Sequence, residues 1–136
     1  MREVTVERFV PATPTAVRRA LTPTAVVEYE GSFTVRETTD TEHGTLVTAG
    51  ARGLELTLHF ESREDGWYYE QAGAGGPFDA METWLSVAPK DDGSVVTARS
   101  AVSLGLPLAV VTDRIAAWKR RGELRRALDA LADDVT

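Results

Sequence analysis

From residue 32 to residue 102 the chain is a succession of short extended runs, each closed by a turn that contains glycine. The turns read "TEHG", "RG", "REDG", "GAGG" and "KDDG". Glycine takes the positive φ that tight hairpins need at no steric cost, so turns of this kind join antiparallel neighbours. The runs between them, about 32–39, 45–52, 54–61, 67–72, 80–87 and 94–102, are predicted strands. In the third, Leu54, Leu56, Leu58 and Phe60 alternate with Glu55, Thr57, His59 and Glu61. One face is dry and the other wet, the pattern of an antiparallel sheet covered on one side. "EVTVERFV" near the start alternates in the same way and adds a seventh strand.

Two short helices separate that first strand from the other six. Thr13-Pro14 and Thr22-Pro23 each place an N-cap hydroxyl before a proline at the first helical position, where its missing N–H costs nothing. Helix one is expected to end near Leu21 and helix two near Glu30, with Gly31 as its cap.

A long helix, about 107–134, closes the chain. At 1.5 Å per residue it is roughly 40 Å long. Its apolar stripe changes side: Leu108, Val111, Ile115, Trp118 and Gly122 share one face, whereas Leu124, Leu128, Leu131 and Val135 share the opposite one. Two arrangements reconcile the stripes. In a straight helix, the face that buries Leu128 and Leu131 also carries Val110, Arg114, Ala117 and Arg121. The two arginines then roof a pocket, offering a planar charged donor fork to a carboxylate, phosphate or enolate. In the other arrangement Gly122 breaks or kinks the helix, both stripes pack on one core, and the arginines stay outside; a glycine costs about 1 kcal/mol in a helix interior, so a break there is cheap.

Composition narrows the chemistry. A chain of 136 residues with no repeat or linker is expected to form one domain with a core of its own. It has no cysteine, which excludes disulfides, thiolate metal sites and cysteine nucleophiles. A net charge of -6 argues against nucleic acid. The apolar stretches are short and broken by charge, so no membrane span is expected, and a soluble cytoplasmic protein follows. Lys90 and Lys119 are the only lysines, and such an acidic, lysine-poor surface resembles proteins of salt-loving microbes.

His43 falls in a turn and His59 on the wet face of its strand, so neither a metal shell nor a Ser-His-Asp arrangement is expected. "GAGG" joins two strands and is not a strand-to-helix phosphate cradle. Among carboxylates, Glu37 and Glu82 are the nearest candidates for acid–base work, and both are expected at the surface. Tyr69, Gln71 and Thr83 are the polar groups of an otherwise apolar dry face, with Tyr69 the candidate proton donor.

"FVPATPTAVRRALTPTAVVEYEG" and "GPFDAMETWLSVAPKDDGSVV" resemble the opening and the central segment of the START-like superfamily, which includes polyketide cyclases and lipid-transport proteins. The second stretch is similar to the coenzyme-Q-binding and cyclase-like branches, with Gly76, Pro77, Phe78, Met81, Leu85, Val87 and Pro89 on motif positions. Val17-Arg18, Leu85 and Ser94 depart from the usual residues of that pattern.

The resemblance spans nearly the whole chain. It implies an α+β helix-grip fold, a curved antiparallel sheet of about seven strands around the long C-terminal helix. It also implies a hydrophobic small molecule held between the two, with no cofactor. The expected lining is Leu56, Leu58, Phe60, Trp67, Tyr69, Met81, Thr83 and Leu85 from the sheet, and Arg114, Ala117 and Arg121 from the helix. Three functions stay open: binding or transport of a lipophilic or aromatic molecule, polyketide cyclase or dehydratase chemistry, and an interaction role. The last would use an exposed stripe of Leu108, Val111, Ile115 and Trp118, for instance in a homodimer.

Overall fold

Glycine turns and alternating strands build an antiparallel meander. The elements are β1 (Arg2–Val10), α1 (Pro14–Ala20), α2 (Pro23–Glu30), β2 (Thr34–Thr41), β3 (Gly44–Ala51), β4 (Leu54–Arg63), β5 (Gly66–Ala72), β6 (Ala80–Lys90), β7 (Gly93–Ser103) and α3 (Ala109–Val135). This computed structural model describes residues 1–73, 78–105 and 109–136, without the side chains of 109 and 110. Part of the "GAGG" turn, the motif residues Gly76 and Pro77, and the stripe residue Leu108 lie outside the described residues, as does the side chain of Val110.

The seven strands form one sheet in the order β1-β7-β6-β5-β4-β3-β2, every pair antiparallel. Both residues of the "RG" turn, Arg52 and Gly53, have positive φ, the conformation that matches the twist of the strands it joins. Strand ends differ from the expected ones by a few residues: β2 starts at Thr34, and β4 and β6 run on to Arg63 and Lys90. Leu54, expected on the dry face, is half exposed: it is the first residue of β4, next to the Arg52-Gly53 turn.

Local chemistry fixes the helix pair as expected. The Thr13 and Thr22 hydroxyls each accept a backbone N–H at 3.1 Å, from Ala16 and Ala25. Gly31 ends α2 in the left-handed conformation, with φ 76°.

Strand register sets one inward row across the sheet. Phe60 pairs with Tyr69, Tyr69 with Thr83, Thr83 with Ser100, and Ser100 with Val4. All five are buried, and α3 lies over them, packed against β1, β7 and α2.

The helix α3 is continuous through Gly122, so of the two arrangements the one with a break there is not adopted. Nor does the buried face change sides. It runs through Asp113, Ala116, Ala117, Arg120, Leu124, Leu128 and Leu131, a single band at helical spacing. Its N-terminal half is small or polar, which is why a search for large apolar residues loses it. Val111, Ile115 and Trp118 stand outside it, 58%, 59% and 75% exposed.

Candidate functional site

The inward row carries more hydroxyls than a plain core needs, and α3 answers them with a charge. Arg120 is fully buried. Its Nε donates to Ser100 Oγ at 3.2 Å, and its Nη2 to Tyr69 Oη at 2.7 Å and Thr83 Oγ1 at 2.9 Å. Its Nη1 forms an ion pair with Glu30. Tyr69 in turn donates to the second oxygen of Glu30 at 2.8 Å, and the Thr83 and Ser100 hydroxyls share a hydrogen bond of 2.8 Å. A second carboxylate, Glu123, lies one turn further along α3, 3.5 Å from Arg120 Nη1. Its other oxygen accepts from Ser32 at 2.5 Å.

Each member is placed by an element that the sequence specifies locally. Glu30 is the last residue of α2, turned inward by the Gly31 cap, and its backbone carbonyl accepts from Arg126 at 2.6 Å. Tyr69, Thr83 and Ser100 are neighbours in the sheet register, and Phe60 stacks on Tyr69 with ring centres 4.4 Å apart.

Electrostatics lock the protons in place. Burial works against the charge on Arg120, but Glu30, Tyr69 and Glu123 outweigh it and hold its pKa above the ordinary arginine value. Burial, reinforced by Glu30, raises the Tyr69 pKa far above that of a free phenol even though Arg120 pulls it down. The tyrosine stays neutral and the arginine charged.

Beside this cluster lies a cavity of about 30 Å³, bounded by Val27, Phe33, Leu56, Leu58, Phe78 and Met81 together with Glu30, Ser32, Arg120 and Glu123. A smaller void of about 10 Å³ lies on the other side of Tyr69, against Leu85 and Leu124.

Of the residues expected to line a pocket, Leu56, Leu58 and Met81 border this cavity. Phe60, Tyr69, Thr83, Leu85 and Ala117 are buried on the same inner surfaces but do not border it. Trp67 lies further along, its indole N–H donating to the Leu21 carbonyl at 2.6 Å. Gln71 donates to the Phe78 carbonyl at 2.6 Å.

Arg114 and Arg121 are corrected: both are exposed, and Arg120 is the arginine turned inward, because only its position meets Glu30, Tyr69 and Thr83. Glu30 and Glu123 were missed as well. Among the described residues no cluster of three or more His, Asp or Glu side chains could hold a metal ion, and no helix is long and apolar enough to cross a membrane.

No protein-family profile and no curated protein matches the chain. Solved structures do. TTHA0849 from Thermus thermophilus superposes with a TM-score of 0.76 at 21% identity, covering 98% of this chain and 97% of that one. A START superfamily protein from Mycobacterium smegmatis gives 0.75 at 13% identity, over 98% and 99% of the two chains. The di-domain ARO/CYC BexL, from the BE-7585A biosynthetic pathway, gives 0.66 at 21% identity, over 93% of this chain and 45% of its own. Seven antiparallel strands gripping a long C-terminal helix, shared with these structures over nearly the whole chain, give this protein the START-like, helix-grip fold.

Proposed function

We propose that the protein binds a lipophilic or aromatic small molecule between α3 and the inner face of the sheet, at the cavity beside Arg120. The observation that carries this reading is the pairing of an apolar wall with a buried charged cluster. Ion pairs inside a protein are commonly no more stabilising than the apolar residues that could replace them. A core with one cation and two carboxylates is therefore better explained by recognition than by stability, and perturbed groups of this kind gather at functional sites. The cavity as it stands has room for about one water molecule. Binding a larger molecule requires Phe33, Phe78 and Met81 to swing aside.

Native mass spectrometry of protein purified gently from its own host, followed by extraction, tests the proposal. A stoichiometric apolar ligand is expected on the unaltered chain and not on a cavity-filling Met81→Trp variant. Bare protein in both preparations would overturn the reading.

The cyclase-like alternative has less support. Tyr69, its expected proton donor, is already committed to Glu30 and does not border the larger cavity.

A second reading, contact between two copies through the outer face of α3, is favoured by the exposed Val111, Ile115 and Trp118. Arg114, Lys119 and Arg121 are exposed on the same helix, so a two-fold pairing there sets like charges close together and should strengthen with salt. Light scattering decides it: a dimer that Trp118→Glu converts to monomer supports the contact, and a monomeric parent protein removes it.

A further inference from the structure

The buried cluster is almost saturated with hydrogen bonds, and what is left over is specific. A guanidinium has five N–H groups. Arg120 spends one on Ser100, one on Glu30, one on Tyr69 and one on Thr83, and its remaining Nη1 proton is next to Glu123. Both oxygens of Glu30 are occupied, by Arg120 and Tyr69. Glu123 borders the cavity; its Oε2 accepts from Ser32, but its Oε1 is buried and accepts no hydrogen bond. The open valence in this cluster is an acceptor, and it belongs to a carboxylate. One cation against two carboxylates also leaves the cluster formally negative.

We infer that the cavity selects a molecule carrying a hydrogen-bond donor, a hydroxyl or an ammonium group on an apolar frame, and that Glu123 Oε1 receives that donor. The inference rests on the cavity being a ligand site. An anion entering here would meet two carboxylates, and the one Arg120 N–H that makes no hydrogen bond is held on the Glu123 side, 3.5 Å from its Oε1. A pure hydrocarbon would bury Glu123 against carbon and leave its oxygen unmet, a costly arrangement for a charged acceptor. Sealing the cavity with a molecule that has no donor keeps that oxygen buried and unpaired, so a favourable ligand must bring its own donor. The apolar lining, Phe33, Leu58, Phe78 and Met81 among it, sets the apolar character of the rest of the molecule.

Calorimetric titration of the full chain with 2-naphthol, 2-methoxynaphthalene and 2-naphthoate tests this. The three probes share a ring and differ in carrying a donor, no donor or an anion. The naphthol is expected to bind at least about tenfold more tightly than the ether, and the naphthoate most weakly, because a donor to a charged acceptor is worth a factor of that order. In Glu123→Met the naphthol and ether should become equal with ether binding retained. In the isosteric Glu123→Gln, whose carbonyl still accepts, part of the preference should persist while discrimination against naphthoate falls. Equal binding of alcohol and ether by the parent protein, tightest binding of the naphthoate, or a preference that survives Glu123→Met would each overturn the assignment while leaving a ligand site in place. No binding of any probe would overturn the ligand site as well.

Discussion

Arg120 and Glu30 stand 90 residues apart in the chain and meet as an ion pair inside it, 1% and 8% exposed. The contact ties α3 to the end of α2 directly over the sheet. Stability of the interior therefore depends on a charge balance as well as on apolar burial.

Removing the cation tests that balance. Arg120→Met leaves Glu30 and Glu123 buried without a positive partner and should cost about 3–5 kcal/mol in urea unfolding. The triple variant that also carries Glu30→Met and Glu123→Met should be markedly more stable than the single one, since no lone charge remains. Arg114→Ala and Arg121→Ala, whose side chains are in water, should each change stability by less than about 0.5 kcal/mol.

Tyr69→Phe keeps the stacking on Phe60 but deletes one donor to Glu30 and one acceptor for Arg120. A loss of about 1–3 kcal/mol is expected, with the fold retained. Chemical denaturation read by far-UV circular dichroism checks it.

Gly122 is exposed in the middle of α3, has no positive φ, and an added methyl would meet nothing within 4 Å. Gly122→Ala should raise stability by roughly 0.5–1 kcal/mol through helix propensity alone. A loss of stability would show that the helix bends there.

The three tyrosines should be silent at the pH where free phenols ionise. Burial and then the hydrogen bond to Asp134 push Tyr29 up to about 12; burial and the hydrogen bonds to Glu82 and Glu70 raise Tyr68 further, and Tyr69 is raised as well. A pKa raised by folding contributes stability that is complete below the unfolded value near 10 and is lost as pH climbs through the folded value. Absorbance at 295 nm should therefore stay flat through pH 10 in the native protein, while in denaturant all three titrate near 10. Stability to urea should fall between pH 10 and 12.

Features written in neighbouring residues could be read without coordinates. Thr13-Pro14, Thr22-Pro23 and Gly31 fix the helix pair because a cap is a contact across three or four residues, and the alternation of β4 reports its two faces directly. The orientation of α3 could not be read in that way. Measured from the line through Leu124, Leu128 and Leu131 at 100° per residue, Arg120 and Arg121 lie about 50° to either side. Helical phase alone does not choose between them. The choice is made by Glu30, Tyr69 and Thr83, which the chain brings together only through the sheet register and the Gly31 cap. The unequal stripe misled for a related reason: Ala116 and Ala117 fill the buried face with little apolar bulk, whereas Val111, Ile115 and Trp118 put theirs in solvent.

The order of synthesis gives the Arg120–Glu30 pair a further meaning. Glu30 leaves the ribosome ahead of every strand but β1, and Arg120 follows only after the last strand is complete. Throughout that interval α2 carries an acid destined for the interior with no base to receive it. The unfinished sheet exposes its inward row, the sort of surface on which nascent chains aggregate or are held by chaperones. Release from that state waits for the final helix, so a truncation that spares all seven strands should still yield a chain that cells treat as unfolded.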